Sequence, residues 1–292
     1  MPELPVPGAG LYYEIRGTGP VLLMIPGGGG DAASFDRVGA DLADRFTVVA
    51  VDPRGKSRSA AGERGRDQRV EVHSDDMHRL LAEVSPTEPA YVFGSSSGAI
   101  IALDLLARHP ERVRLAVAHE PPALGLLPDA DHWRAAFAGV AEAFGRDGLE
   151  AAMAALGAVA GQESADEPDD VREGSAGAGD PAADAERLRR MRENMPQFLE
   201  RELRQFSGHM PDLDALAGHP GQLVLACGRA SRELLLARPA AVLAERLGTG
   251  LVEFPGGHVG LSTHPVRFAG VLRRTLTSAV AEEAARQRGK TM

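Results

Sequence analysis

The chain contains 292 residues, of which 43% are hydrophobic and 25% are charged, as in an ordinary globular protein rather than a disordered or fibrous one. Its 41 acidic and 32 basic residues give a formal net charge of −9, and the resulting negative field disfavours nucleic acid and anionic membranes as partners. The sequence has no run near the roughly 18 apolar residues that a membrane span requires.

The single cysteine and the opening residues bear on the cellular compartment. Cys227 cannot form an internal disulfide bond, and it lies in the apolar run QLVLAC, which predicts a buried thiol. The opening MPELPVPGAGLYYEIRG has neither the basic region nor the long apolar stretch of a secretion signal. We therefore expect a cytoplasmic protein, and the sequence leaves both a monomer and a homodimer open.

Six short apolar runs rich in Val, Ile and Leu predict strands that are buried on both faces. In chain order they are VLLMI (21–25), TVVAV (47–51), AYVF (90–93), VRLAVAH (113–119), QLVLAC (222–227) and GLVEF (250–254). Amphipathic stretches over 98–109 and 238–248 follow two of these runs, and Pro110 and Gly248 mark their ends. Strands that alternate with helices predict an α/β fold with a doubly wound, mostly parallel sheet.

The alternation stops between residues 122 and 217, where helical patterns follow one another without a strand between them. This interruption predicts a helical cap inserted into a core formed by residues 1–121 and 218–292. Within it, residues 162–186 contain nine acidic residues and only one basic residue, Arg172. Such a piece buries little apolar surface, so we expect it to be mobile.

The stretch Gly94-Ser95-Ser96-Ser97-Gly98 matches the pattern G-x-S-x-G between a predicted strand and a predicted helix. In that setting the central residue, Ser96, occupies a sharp turn, and glycine on both flanks lets the strand and the helix approach each other. The turn also leaves the N–H of Ser97 at a helix start, where it can stabilise a developing negative charge. Ser96 is therefore a candidate nucleophile.

A serine nucleophile needs a base to remove its proton and a carboxylate to orient that base. His258 is the candidate base, because it follows the last predicted strand on a loop that contains a proline and two glycines. Of the other histidines, His119 ends a predicted strand, and the rest lie on predicted helices, at helix ends or in the insertion.

With these residues in place, the sequence resembles the α/β-hydrolase fold family, in which nucleophile, acid and histidine follow one another in that order. The likeness includes the loop IPGGGGDAASF (25–35) and the turn VDPRGKSRS (51–59), which is similar to the family's D-x-R-G-x-G-x-S stretch. Pro26 stands where family members usually carry the histidine of His-Gly-x. The resemblance implies that the N–H of Gly28 is the second oxyanion donor beside that of Ser97, with Gly29 as an alternative.

The acid is the point at which the sequence departs from the common family pattern. The usual position, shortly after the seventh strand, holds Ser231. Two acids are available: Glu233, two residues further on, and Glu120, which directly follows a predicted strand and precedes two prolines. A subset of the family takes its acid from the end of the sixth strand. We expect Glu120 to fill this role, because the end of a parallel strand is a rigid platform beside the nucleophile.

A rival interpretation of the glycine-rich loop is a dinucleotide fingerprint, Gly27-x-Gly29-x-x-Ala32, with Asp52 closing the next strand and Arg54 nearby. It predicts a nicotinamide-dependent oxidoreductase and leaves the serine, acid and histidine pattern unexplained. No cysteine and histidine cluster has metal-ligand spacing, so we expect neither a metal nor a cofactor.

These features together predict a serine hydrolase that cleaves a hydrophobic small-molecule ester or lactone through an acyl-enzyme. Trp133 and Phe137 in the insertion, and Gly29 in the loop, are candidate substrate contacts. The same scaffold resembles cofactor-independent lyases, acyltransferases and ring-closing enzymes, and also receptors that keep a vestigial triad. The sequence leaves these alternatives open.

Overall fold

A computed structural model describes residues 3–59, 67–161 and 181–290, with side chains described as far as residue 278. Most of the acidic segment predicted to be mobile, residues 162–180, lies outside the described residues. Its last residues, 181–186, belong to the helix Pro181–Gln197.

One sheet of eight strands organises the described residues, in the order β1-β2-β4-β3-β5-β6-β7-β8. Strands β3 to β8 are parallel, whereas β2 pairs antiparallel with both β1 and β4. This arrangement confirms the predicted α/β fold with a mostly parallel sheet. The strands are β1 (Glu3–Val6), β2 (Ala9–Arg16), β3 (Val21–Ile25), β4 (Thr47–Val51), β5 (Ala90–Ser95), β6 (Val113–His119), β7 (Leu223–Gly228) and β8 (Leu251–Phe254).

The central strands are apolar on both faces because helices cover the sheet on each side. All six residues of β5 are buried. Alternate residues of this strand enter two separate apolar clusters: Val92 packs in one with helix residues such as Ile100, and Phe93 packs in the other with Phe268. Burial on both sides explains the continuous Val, Ile and Leu runs of the sequence.

The helices of the core and of the insertion follow the strands in chain order. They are α1 (Asp36–Leu42), α2 (Val70–Val84), α3 (Ser97–Arg108), α4 (Ala130–Asp147), α5 (Leu149–Ala160), α6 (Pro181–Gln197), α7 (Leu203–Ser207), α8 (Leu213–Ala217), α9 (Arg238–Leu247), α10 (Gly260–Thr263) and α11 (Pro265–Lys290). A π-helical turn, Phe198–Glu202, joins α6 to α7. No helix within the described ranges is long and apolar enough to cross a bilayer.

Between β6 and β7 the described residues form only helical elements, which include α4 to α8, and these helices share an apolar cluster of their own. Gly148 separates α4 from α5 with φ 86°. Glycine suits this position because residues with a side chain rarely adopt that conformation. Phe137, Phe198 and Leu199 are buried in this cluster. We refer to residues 124–161 and 181–217 together as the helical segment.

Polar side chains attach the helical segment to the loop that follows β3. Asn194 of α6 donates from Nδ2 to the carbonyl of Gly29 at 2.9 Å, and its Oδ1 accepts the N–H of Ser57 at 2.8 Å. One turn earlier, Arg190 pairs with the buried carboxylate of Asp31 at 2.6 Å. These contacts place α6 directly over the glycine-rich loop.

Candidate active site

Ser96 lies at the sharp turn between β5 and α3, as the G-x-S-x-G pattern predicts. Its backbone has φ 55° and ψ −122°, and its N–H donates to the carbonyl of His119 at 2.9 Å. The flanking glycines are required by close backbone contacts. A Cβ on Gly94 would lie 2.2 Å from the carbonyl oxygen of Gly98, and one on Gly98 would lie 2.2 Å from that of Ile25.

Glu120 and His258 form a direct pair at the carboxyl edge of the sheet. Glu120 follows β6 with φ 49° and is fully buried, and His258 lies on the loop after β8 with its side chain 21% exposed. The Nδ1–H of His258 donates to Oε2 of Glu120 at 2.6 Å. The second carboxylate oxygen accepts the N–H of Gly228 at 2.7 Å and the hydroxyl of Ser231.

These contacts decide the charge state of Glu120. Burial raises the pKa of the Glu120 carboxyl, but the hydrogen bond and charge of His258 oppose this, and the net pKa falls to about 2. Glu120 is therefore ionised near neutral pH and can only accept hydrogen bonds. The proton of a neutral His258 then sits on Nδ1, and its Nε2 carries a free lone pair.

Glu233 does not share this environment. It lies exposed in the turn after β7, whereas Ser231, two residues earlier, points at Glu120. The position that usually holds the acid in the family therefore supplies a hydroxyl to an acid from the neighbouring strand.

Ser96 and His258 line the same cavity, which has a volume of about 400 Å³. Its wall also contains Ser97, Gly28 and Gly29, and most of the remaining lining is apolar. The apolar side chains include Phe137, Met153, Leu156, Met191, Met195, Phe198, Leu203, Phe206 and Leu236. All of these except Leu236 come from the helical segment.

Of the two aromatic residues proposed as substrate contacts, only Phe137 lines this cavity. Trp133 is not among the lining residues. It packs at the edge of the helical segment's cluster, with the guanidinium of Arg238 6.0 Å from its ring centre.

The loop that carries Gly28 is held on several sides. Gly28 has φ 51°, and its N–H donates to the hydroxyl oxygen of Ser97 at 2.9 Å. Its carbonyl accepts from Nζ of Lys56 at 2.5 Å, and Lys56 forms a buried ion pair with Glu202 of the π-helical turn at 2.6 Å. The Gly28 N–H, expected to face a substrate directly, is thus already engaged by a neighbouring side chain.

The structure contradicts the dinucleotide interpretation of the same loop. Both side chains that would contact a nucleotide ribose are occupied: Asp52 is buried and bonded to Arg58 and the N–H of Ala32, and Arg54 forms two bonds to Asp76. The residues after the glycines form a short 3₁₀ turn, Ala32–Phe35, rather than an α-helix whose N-terminus could hold a pyrophosphate.

One group of possible metal ligands lies away from this cavity, within the described ranges: His78, His109 and Glu111. The two imidazole rings are stacked, with centres 3.9 Å apart and an angle of 22° between their planes. Lone pairs in nearly parallel planes do not converge on one ion, so this arrangement does not suit a shared tetrahedral metal.

Sequence reasoning missed three side chains that shape the site. Ser231 was recognised only as the place where an acid is absent, and Lys56 and Asn194 were not singled out. Lys56 stands in the family-like turn 51–59, but nothing in one sequence shows that Glu202, 146 residues away, is its partner.

This combination of a parallel sheet, a strained serine after β5 and a histidine after β8 defines the architecture of the α/β-hydrolase fold. A family model described as alpha/beta hydrolase fold matches residues 20–162. The chain is also 39% identical over 270 residues to the uncharacterized hydrolase YraK of Bacillus subtilis, covering 91% of this chain and 92% of that protein. The chain belongs to the α/β-hydrolase fold family and is a hydrolase of that fold.

Solved structures share the fold at lower identity. An esterase from Thermogutta terrifontis is 20% identical with a TM-score of 0.69, covering 95% of this chain and 97% of the esterase. An enol-lactonase from Burkholderia xenovorans is 17% identical with a TM-score of 0.67, covering 94% of this chain and all of the lactonase.

Proposed function

We propose that this protein is a cytoplasmic serine hydrolase that cleaves hydrophobic carboxylic esters or lactones. In this proposal Ser96 is the nucleophile, His258 is the general base and Glu120 orients the histidine. One observation carries the proposal: Ser96 and His258 line a single cavity, while Glu120 binds the histidine nitrogen that faces away from the reaction.

The reaction begins when Oγ of Ser96 attacks the substrate carbonyl and its proton passes to Nε2 of His258. The carbonyl oxygen becomes an oxyanion, and the positive charge that develops on the imidazole is offset by ionised Glu120. His258 then returns the proton to the leaving alcohol oxygen, which leaves an acyl group on Ser96. A water molecule, activated by the same histidine, hydrolyses this acyl-enzyme.

The proposed oxyanion site lies at the start of α3, beside the glycine-rich loop. The N–H of Ser97 occupies the first position of α3, where a helix N–H has no intrahelical acceptor. Gly28 lies beside it, joined through the Ser97 hydroxyl. A single oxyanion donor is worth about 3 kcal/mol of transition-state stabilisation.

The cavity wall supports a small apolar substrate. Its lining is largely aliphatic, aromatic and methionine side chains of the helical segment, which we propose acts as a cap over the site. A volume of about 400 Å³ is within the usual range for small-molecule pockets. Two structural neighbours are named as an esterase and an enol-lactonase, in line with this substrate class.

The nucleophile is tested by labelling with a fluorophosphonate probe. The wild-type protein should be labelled and should hydrolyse p-nitrophenyl butyrate, whereas Ser96→Ala should lose both properties. Ser74→Ala is a matched control, because Ser74 is buried in α2 outside the cavity. Labelling of the Ser96→Ala variant would show that another residue is the nucleophile.

A substrate panel separates the proposal from its alternatives. Aryl esters and lactones of increasing chain length should be turned over many times, with kcat/KM rising as the apolar group fills the cavity. Tight binding with at most one turnover would instead identify a receptor. Labelling without hydrolysis of any ester or lactone would favour a lyase, an acyltransferase or a ring-closing enzyme.

A further inference from the structure

The hydrogen bond between Gly28 and Ser97 changes which atom can meet the substrate. The N–H of Gly28 donates to Oγ of Ser97 at 2.9 Å, and the Ser97 side chain is buried with 3% of the residue exposed. Ser97 nevertheless lines the cavity beside Ser96 and His258. The N–H of Gly28, which the fold would supply as an oxyanion donor, is therefore already bonded to the hydroxyl oxygen of Ser97.

The Ser97 hydroxyl can still donate one hydrogen bond. A serine side chain can accept two hydrogen bonds and donate one. Oγ of Ser97 accepts from Gly28, and no residue in the described part of the chain accepts its O–H. Its O–H is free to rotate toward the cavity.

We propose that the Ser97 hydroxyl is a direct oxyanion donor, and that the N–H of Gly28 acts through it. This inference rests on the proposed function. Ser97 then contributes two donors, its backbone N–H at the start of α3 and its side-chain O–H.

The chemistry favours such a relay. An O–H that donates to an oxyanion forms a short, charge-assisted hydrogen bond. Because Oγ also accepts the N–H of Gly28, the two bonds polarise each other in the same direction and strengthen the donor. The proton stays on Oγ of Ser97 throughout, and the only proton transferred in the attack is that of Ser96, which goes to His258.

A hydrogen bond to the carbonyl of Gly28 fixes the position of this residue and so keeps its N–H directed at the Ser97 hydroxyl. Nζ of Lys56 donates to the Gly28 carbonyl at 2.5 Å, and Lys56 is itself held by Glu202. Gly28 lies in the cavity wall, and Lys56 and Glu202 are not among the lining residues, so substrate binding need not disturb these contacts. A preorganised donor of this kind costs no rearrangement during the reaction.

The test distinguishes this role from the opposite one, in which the Ser97 hydroxyl blocks the Gly28 N–H and must move away before that N–H can bind the oxyanion. The two roles predict opposite changes in the reaction rate when the Ser97 hydroxyl is removed. If it is a donor, Ser97→Ala slows the reaction. If it is a plug, Ser97→Ala releases the Gly28 N–H and the reaction becomes faster.

The test measures kcat and KM for p-nitrophenyl butyrate in the wild type and in Ser97→Ala, Ser97→Cys and Ser97→Thr. We expect kcat to fall about 10²-fold in Ser97→Ala with KM changed less than threefold, because the donor acts mainly in the transition state. The nearly isosteric Ser97→Cys should fall similarly, since a thiol is a weak donor. Ser97→Thr keeps the hydroxyl and should recover most of the lost rate.

A second readout isolates the oxyanion. An aryl trifluoromethyl ketone forms a tetrahedral adduct with a nucleophilic serine, and its affinity should fall in Ser97→Ala by about the same factor as kcat. Thermal unfolding of each variant, with Ser74→Ala as the control for loss of a buried helical hydroxyl, shows whether the fold is intact.

Unchanged or faster turnover in a folded Ser97→Ala variant, with unchanged ketone affinity, would overturn the inference and return the role to the Gly28 N–H. Should Ser97→Ala fail to fold, the Ser97→Cys and Ser97→Thr pair decides by the same criterion. Failure of the proposed function has a different signature, namely a wild-type protein that neither reacts with the fluorophosphonate nor hydrolyses an ester.

Discussion

Strained backbone is concentrated at individual residues of the proposed site. Within the described ranges, the non-glycine residues with positive φ are Ser57, Ser96 and Glu120. Such conformations cost about 1–3 kcal/mol each and persist where surrounding contacts enforce them. For Ser96 the enforcing contact is its N–H bond to His119, and for Glu120 it is the N–H bond to Ala226 at 2.9 Å. Two of the three strained residues thus carry the proposed chemistry.

Replacing Glu120 by glutamine tests the orienting carboxylate. The amide keeps the size of the side chain but removes the charge, and its NH₂ group can face Nδ1 and hold the histidine in the wrong tautomer. We expect kcat for p-nitrophenyl butyrate to fall about 10³- to 10⁴-fold. Glu233→Gln is the matched control and should stay within twofold, because Glu233 is exposed in a turn. A larger loss in Glu233→Gln than in Glu120→Gln would reverse the assignment of the acid.

The buried imidazole of His119 should make the stability of the fold depend on pH. It is fully buried among Phe93, Phe254 and Phe268, and neither ring nitrogen has a hydrogen-bond partner within the described ranges. Burial lowers the pKa of its imidazole to about 4. The unfolded chain binds this proton near pH 6.5, whereas the folded chain resists it. The contribution to stability is therefore complete above pH 6.5 and is lost as the pH falls toward 4.

Urea unfolding at pH 8 and pH 5 measures this effect. From the two pKa values, His119 should account for a loss of about 2 kcal/mol in the free energy of unfolding between these pH values. His119→Leu should lack that part of the loss, although all other titrating groups remain. An identical pH dependence in the wild type and in His119→Leu would contradict the depressed pKa.

At the scale of elements, the parallel strands were predictable because each is a continuous apolar run. The run 113–119 matches β6 at both ends, and 21–25 and 47–51 match β3 and β4. The antiparallel strands β1 and β2 were not predicted. Strand β1 has only four residues, and β2 mixes polar with apolar residues, so neither gives a continuous apolar run; Glu3 and Ile15 are both exposed.

The site was predictable to the extent that local sequence encodes it. Glycines that flank Ser96, prolines after Glu120 and a loop histidine after a strand are all local signals. The bond from Gly28 to Ser97 spans 69 residues, and the pair of Lys56 and Glu202 spans 146. Pairings at such separations depend on how elements pack, and one sequence carries no pattern for them.

The buried pair of Lys56 and Glu202 joins the turn after β4 to the π-helical turn of the helical segment. Both side chains are at most 2% exposed, so the loss of one partner leaves a buried charge alone. Lys56→Met should lower the free energy of unfolding by about 3–5 kcal/mol. The double variant Lys56→Met/Glu202→Leu should recover most of this loss, because no unpaired charge remains. Urea unfolding of both single variants and the double variant gives the coupling, and additive effects would contradict a direct interaction.

At the scale of the whole molecule, the sheet and the helical segment meet over the glycine-rich loop, and the contact includes buried polar bonds. Asn194 is 5% exposed and makes three hydrogen bonds, to Gly29 and to the N–H and hydroxyl of Ser57. Such a contact fixes the position of α6 more narrowly than apolar packing does, since each buried polar group must keep its partner. Asn194 is therefore one of the side chains, with Arg190 and its partner Asp31, that fix the cavity wall formed by α6.

Asn194→Ala tests this dependence. The variant leaves the buried Gly29 carbonyl and the Ser57 N–H without their partner, at a cost of about 1–3 kcal/mol. The substitution destabilises the conformation in which α6 packs against the glycine-rich loop, so α6 should open locally more often. We therefore expect amide hydrogen exchange in α6 and α7 to become about 5- to 100-fold faster, whereas exchange in β5 and α3 should change much less. Gln205→Ala is the matched control: Gln205 contacts Asp67 on the exposed surface at 3.1 Å, and its loss should leave exchange within about twofold. If exchange in Asn194→Ala rises equally in the sheet and in the helical segment, the two parts unfold as one unit and Asn194 is not a separate attachment point.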